Sequence, residues 1–145
     1  MFSLKANGEL KYYIIDEFEN TGLVKHCFTT RCGGVSENEY KSLNLRMNCD
    51  DKKENILKNY KIICDEIDVN FENLVFSNQV HCDTIYTVGK EDMGNGITKP
   101  QKFDGADGLI TNVPGVPLIV FAADCVPVFF LDKIKRVIAL VHSGW

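Results

Sequence analysis

The sequence predicts an α+β fold, with mixed β-sheets packed together and helices at their flanks. Three observations carry this prediction. Short runs rich in β-branched and aromatic residues recur along the chain, only one stretch keeps a helical period, and the residues able to do chemistry fall on turns between strands. The regular alternation of strands and helices that a parallel α/β fold requires is absent.

Taken in order, residues 11–15 are a short strand, and Asp16 to Gly22 read as a turn. Residues 23–30 alternate loosely and are rich in β-formers, giving a second strand. It runs into Arg31-Cys32-Gly33-Gly34-Val35-Ser36, where the glycine pair permits tight or left-handed backbone and leaves room for a ligand to approach the main chain. Asp51-Lys52-Lys53-Glu54 resembles a capping box with aspartate in place of Ser or Thr. Ile56, Leu57, Tyr60, Ile63, Cys64 and Ile67 then follow at helical spacing, so a helix is expected at roughly 52–67 with one apolar stripe facing a core. Residues 74–76 and 84–88 are strands flanking Gln79-Val80-His81. Residues 89–105 are polar and punctuated by glycine, an exposed, flexible loop and a candidate lid.

Residues 107–111 open a C-terminal strand set, and Pro114-Gly115 turns the chain. Two almost wholly apolar runs, 117–121 and 128–131, have the length of strands buried on both faces. Between them lies Ala122-Ala123-Asp124-Cys125-Val126-Pro127. A last apolar run, 137–141, delivers His142 and stops at Ser143-Gly144-Trp145.

The 145 residues suit a single domain spanning 1–145. At 45% hydrophobic and 25% charged the composition is that of a globular protein. A net charge of −4 argues against a protein that coats nucleic acid. It leaves open a small anion held by one or two local cations. The N-terminus carries no long apolar stretch, and Asp124 interrupts the longest apolar run, so neither an export signal nor a membrane span is expected. The cytoplasm is therefore the expected compartment. Six cysteines, at 27, 32, 49, 64, 82 and 125, are then expected as reduced thiols. None is paired at CxxC spacing, so a metal site must be assembled from distant segments.

A thiolate and an imidazole at the ends of neighbouring strands are a plausible pair of metal ligands, and Cys125 and His142 are so placed. His81 is the third candidate. The expectation is that His81, Cys125 and His142 meet and hold one zinc. Taken singly, each has a plainer reading. Cys125 suits a buried structural thiol, and His81 suits an ordinary strand-end histidine. Asp124 can cap a turn, and Arg31 can bridge a carboxylate. His26 lies in a strand candidate and reads as half-buried.

Five segments in order carry a resemblance. They are Phe28-Thr29-Thr30-Arg31-Cys32-Gly33-Gly34-Val35-Ser36, Ser42-Leu43-Asn44-Leu45, Asn78-Gln79-Val80-His81, Ala123-Asp124-Cys125-Val126-Pro127 and Val141-His142-Ser143-Gly144-Trp145. Together they resemble the YfiH-type family, whose members are labelled polyphenol oxidase (laccase), purine nucleoside phosphorylase or peptidoglycan editing factor. The resemblance implies mixed sheets with helices outside and a single zinc on His81, Cys125 and His142. It implies phosphorolysis of adenosine, inosine, guanosine and methylthioadenosine, and deamination of adenosine. Family members continue past the HxGW segment with Arg-Gly, whereas this sequence stops at Trp145, so a fragment, a frameshifted gene product or an artificial boundary is expected. Cys82 stands where many relatives carry glycine.

The expected chemistry follows from the ligand set. Three protein ligands leave zinc an open position that can activate water or polarise a substrate. For deamination, a zinc-activated water would attack C6 of adenine and a proton shuttle is needed; Asp124 is a candidate by adjacency. Phosphorolysis needs a group for the phosphate. Arg31, with backbone N–H groups at Gly33-Gly34, is the expected anion anchor, and Asn44 is a nearby polar contact. The expected partners are purine nucleosides and phosphate, with neither nucleic acid nor membrane, and a homo-oligomer stays open.

Two rival chemistries remain. A copper-dependent polyphenol oxidase is disfavoured because a multicopper cluster relies on many imidazoles and the chain has three histidines. One copper could still replace zinc on the same ligands. A hydrolase with Cys125 as nucleophile and His142 as base would edit peptidoglycan precursors. A non-catalytic fragment is the third alternative.

Overall fold

In the computed structural model, residues 1–144 are described, and they form two compact units, 1–71 and 72 onward. Three sheets carry the structure, one in the first unit and two in the second. The fold is the expected α+β type.

The first unit opens with a hairpin absent from the sequence-based reading. Strands β1 (Phe2–Asn7) and β2 (Leu10–Ile15) pair antiparallel, Asn7 opposite Leu10. The two-residue loop has Gly8 at φ +58°, the position that a type II′ turn reserves for glycine. Along β2, Leu10, Tyr12 and Ile14 are buried while Lys11 and Tyr13 point outward, the period-2 pattern of a strand with one covered face. Asp16 to Gly22 was expected as a turn; its first four residues instead make a single helical turn, α1 (Asp16–Glu19). The strand expected at 23–30 shrinks to β3 (Phe28–Thr29), which pairs with Tyr12 and Tyr13 of β2. β-propensity over the preceding residues found no ladder partner to realise it.

Helix α2 (Lys53–Glu66) matches its expected bounds closely and buries Ile56, Asn59, Tyr60, Ile63 and Cys64. Ile63 joins Leu10, Tyr12, Ile14 and Leu43 in the core of this unit. The capping box does not form. Lys52 is the N-cap residue and no side chain caps the helix. Asp51 is already occupied: its Oδ2 accepts hydrogen bonds from Ser36 Oγ (2.6 Å) and Asn44 Nδ2 (2.9 Å).

The second unit holds β4 (Val75–Phe76), β5 (Ile85–Thr87), β6 (Gly108–Thr111), β7 (Leu118–Ile119), β8 (Val126–Asp132) and β9 (Val137–Ser143). Strands β4 and β7 pair in parallel. The other four form one sheet in the order β5-β6-β9-β8, parallel between β5 and β6 and antiparallel elsewhere. Val75, Val88, Phe103, Ala106, Leu109 and Val116 make the core.

Two expectations for this unit are corrected. The runs at 117–121 and 128–131 are not buried on both faces. β7 is half-buried, and β8 is an outer strand with Val126 and Phe130 largely exposed. That position also tolerates Pro127, which has no N–H for a second neighbour. The segment 89–105 is not an exposed lid. Buried Asn95 ties it down, donating from Nδ2 to Phe76 O (3.1 Å) and Gln101 Oε1 (2.6 Å) and accepting from Lys102 N–H (2.9 Å). Phe103 stacks on Tyr86 with ring centroids 4.8 Å apart. No helix among the described residues is long and apolar enough to cross a membrane.

Candidate metal centre

Backbone pairing brings the three candidate ligands to one end of the second unit. The β4–β7 ladder continues past its strands: Ser77 N–H donates to Ile119 O (3.2 Å). The Gln79 side chain then grips Phe121 from both sides, Nε2 donating to its carbonyl (2.8 Å) and Oε1 accepting from its N–H (2.6 Å). The segment leading to His81 is thus fastened to the segment leading to Cys125. In the larger sheet, Val126 lies opposite Ser143 and Pro127 opposite His142, which sets Cys125 beside the C-terminal end of β9. On the other side of β9, His142 N–H donates to Asp107 O (2.7 Å).

The result is that one nitrogen each of His81 and His142 and the Cys125 sulfur all lie within 4.8 Å of one another. The imidazole rings of His81 and His142 meet edge to face, centroids 4.8 Å apart. His142 is buried, Cys125 half-buried and His81 exposed. Tetrahedral zinc on two nitrogens and a sulfur needs donor atoms roughly 3.3–3.7 Å apart. A closure of about 1 Å is the difference, and exposed His81 has the freedom to supply it. The donor set therefore fits a zinc ion with one position left open.

Asp107 lies against this trio and is 2% exposed. Its Oδ1 is 2.6 Å from His142 Nδ1, and its Oδ2 accepts from the N–H groups of Val80 and Cys82, each at 2.9 Å, and from the Cys82 thiol at 3.3 Å. Burial opposes ionisation of this carboxyl, but the bonds from Cys82 N–H, His142 and Val80 N–H outweigh it and hold it well below the usual carboxylate range. Sequence reasoning passed over Asp107 as the first residue of a strand. The available signal was an acid set among glycine, alanine and an apolar strand, because a buried carboxylate must be paired. Gln79 was quoted only as part of its motif.

Asp124 sits exposed on the bend before Cys125. Arg31 and Asn44 belong to the first unit. The Arg31 guanidinium donates to Lys41 O from Nε (3.0 Å) and Nη2 (2.7 Å). Asn44 donates to Asp51 and accepts from Arg46 N–H (3.1 Å). The N–H groups of Gly33 and Gly34, expected as donors open to a ligand, both bond Ser42 Oγ, at 3.0 and 3.1 Å. A Cβ at Gly33 would lie 2.1 Å from Leu10 Cα, and one at Gly34 2.2 Å from Ser42 O. These glycines serve close packing of backbone on backbone. His26 is also in this unit, its Nε2 accepting from Ile15 N–H (2.7 Å).

A family model described as multi-copper polyphenol oxidoreductase laccase matches residues 25–145. The chain belongs to this family, the YfiH family. Purine nucleoside phosphorylase YlmD of Bacillus subtilis is 35% identical over 119 residues, covering 81% of this chain and 43% of the relative. A purine nucleoside phosphorylase of Bacteroides thetaiotaomicron is 33% identical over 142 residues, covering 97% and 52%. The solved structure of Bacillus licheniformis hypothetical protein YfiH superposes with a TM-score of 0.86 at 32% identity, over 99% of this chain and 52% of that one. The chain thus spans about half the length of the YfiH relatives it matches.

Proposed function

We propose that this chain carries the zinc site of a purine nucleoside phosphorylase, acting on adenosine, inosine, guanosine and methylthioadenosine and deaminating adenosine. The observation behind the reading is the His81–Cys125–His142 trio, whose donor atoms converge within 4.8 Å in a chain whose relatives are named for this activity. Bound zinc supplies a Lewis acid with an exchangeable fourth position. His81, Cys125 and His142 would hold it, and His81 is the exposed member of the three. Asp124, exposed beside Cys125, is the proposed proton shuttle. Arg31 is the proposed phosphate contact. Its Nε and Nη2 are spent on Lys41 O, which fixes the plane of the guanidinium. Asn44 is the proposed polar neighbour of that contact.

The test is metal analysis of the purified chain together with phosphate-dependent release of hypoxanthine from inosine. One zinc per chain, lost in Cys125→Ser and His142→Ala, with release that requires phosphate, supports the reading. Copper with phenol oxidation, or release that persists in both variants, overturns it.

A further inference from the structure

We propose that Asp107 is the positioning residue of the metal centre, a single carboxylate that sets both histidine ligands at once. The inference rests on the zinc reading above. It concerns a residue outside the ligand set, and it follows from which atom holds which.

Oδ1 fixes His142. A neutral imidazole carries its proton on one nitrogen and offers the other as a ligand. Ionised Asp107 accepts only, so the His142 Nδ1 facing it at 2.6 Å carries the proton. Nε2 is then the nitrogen left for a metal, with its lone pair available. The main chain repeats the hold, because Asp107 O accepts the His142 N–H at 2.7 Å. The residue is thus held by its main chain and by one ring nitrogen, and it is buried.

Oδ2 fixes His81. It accepts from the N–H groups on either side of that residue, Val80 and Cys82, both at 2.9 Å. His81 itself has φ +61°, a left-handed conformation that a side chain with a Cβ adopts reluctantly. Two amides converging on one oxygen is what that tight local fold produces, and the carboxylate is what rewards it. Gly105 takes part. Its φ is +77°, and a Cβ there would lie 2.9 Å from Val80 Cγ2. The loop before Asp107 can thus pass close to the His81 segment.

Asparagine cannot replace this aspartate in both roles. Its one carbonyl oxygen must face either the imidazole or the two amides, and its NH2 meets a donor on the other side. If the oxygen stays with the amides, the NH2 forces His142 Nδ1 to accept, the proton moves to Nε2, and the ligand nitrogen is blocked. If the oxygen turns to His142, the amides around His81 lose their acceptor. Either arrangement weakens the metal, and carboxylates in this relation to a histidine ligand typically govern affinity by about 10–100-fold.

The test has two readouts, and neither is turnover. The first uses nitrogen-detected NMR of the metal-free chain, selectively labelled at histidine, at alkaline pH where imidazole is neutral. The His142 proton is expected on Nδ1 in the wild-type chain and on Nε2 in Asp107→Asn. A wild-type His142 protonated on Nε2 overturns the proposal with no variant needed. The second is zinc competition against a chromophoric chelator for the wild-type chain, Asp107→Asn and His142→Ala. About 10–100-fold weaker binding in Asp107→Asn is expected, with circular dichroism unchanged. Binding equal to wild type in a folded Asp107→Asn sinks the positioning role while leaving the zinc reading intact. Equal binding in His142→Ala sinks the zinc reading itself.

Discussion

Replacing Asn59 with alanine tests whether one buried amide holds the loop that carries Arg31 and Asn44. Asn59 lies on α2, fully buried, where a leucine would ordinarily be expected. Its Nδ2 donates to Asn44 O (2.8 Å), Ser36 Oγ (2.9 Å) and Ser42 O (3.3 Å), and its Oδ1 accepts from Val35 N–H (2.8 Å). Not all four bonds count equally. Ser42 O keeps the N–H of Ser36 (2.9 Å), and Ser36 Oγ keeps Asp51. Val35 N–H and Asn44 O are the two groups whose bond to Asn59 has no such substitute. An abandoned buried polar group costs about 1–3 kcal/mol. The sum is about 4 kcal/mol, a large part of a domain's whole stability. In a chain of this length that is roughly 10–15 °C in melting temperature.

Chemical denaturation with thermal melting measures this loss. Asn59→Asp separates hydrogen bonding from volume. It keeps an acceptor for Val35 but turns a second oxygen toward the carbonyls of Asn44 and Ser42. Burial raises that carboxyl's folded-state pKa, so its stability is present below about pH 4 and lost as pH rises through the folded value. The variant should therefore be closer to wild type in acid than at neutrality. A loss under about 1 kcal/mol in Asn59→Ala, or a flat pH dependence in Asn59→Asp, refutes the clamp.

Three further outcomes are expected. A Cβ at Gly144 would sit 3.3 Å from His81 Cδ2, so Gly144→Val should weaken zinc binding at the proposed centre about tenfold with the melting temperature preserved, and equal chelator competition would count against it. Burial pushes the Cys27 thiol up to about 12 and the Cys64 thiol up to about 11 from an ordinary 9.0. Both raised values stabilise the fold fully below about pH 9 and lose that contribution as pH climbs toward 11–12, so denaturation midpoints should fall across that window; a level profile would contradict it. Leu109, fully buried between β5 and β9, should cost about 3 kcal/mol when cut to alanine, read from the denaturation midpoint, and a loss below about 1 kcal/mol would show that the core of the second unit lies elsewhere.

What the sequence made legible, and what it hid, divides along one line. Helix α2 was legible because Ile56, Tyr60, Ile63 and Cys64 repeat at a period that only a helix satisfies. The strands at 75–76, 85–87 and 108–111 were legible as short apolar runs between turn residues. β1 was hidden because its side chains are mostly exposed and show no alternation. The strand at 23–30 was overdrawn because β-propensity describes a willing segment and says nothing of a partner. The two runs near 120 and 130 were read as doubly buried from hydrophobicity alone. A strand's place in the sheet order decides its burial, and that order depends on pairings distant in sequence. The loop at 89–105 read as a lid because the buried use of Asn95 has no signature in a polar stretch.

The same division runs through the site. Cysteine and histidine announce themselves by type, so His81, Cys125 and His142 could be proposed before anything placed them together. Asp107, Gln79 and Asn59 are ordinary residues whose work is defined by what they face. Yet Asp107 and Gln79 determine whether the conspicuous ones meet. β9 offers Val141, His142 and Ser143 in succession, and in a strand neighbours point to opposite faces. Sliding β9 by one residue against β6 and β8 would carry His142 out of the buried end and bring Val141 or Ser143 in. Hydrophobic patterning does not forbid that slip, because residues 137–141 are apolar without interruption. The main-chain bond from His142 N–H to Asp107 O (2.7 Å) could be made by any residue at that place, so the contact that distinguishes the register is the one between His142 Nδ1 and Asp107 Oδ1 at 2.6 Å. The carboxylate that orients His142 thus also selects the alignment of the strand delivering it, so the register and the proposed metal centre stand or fall together.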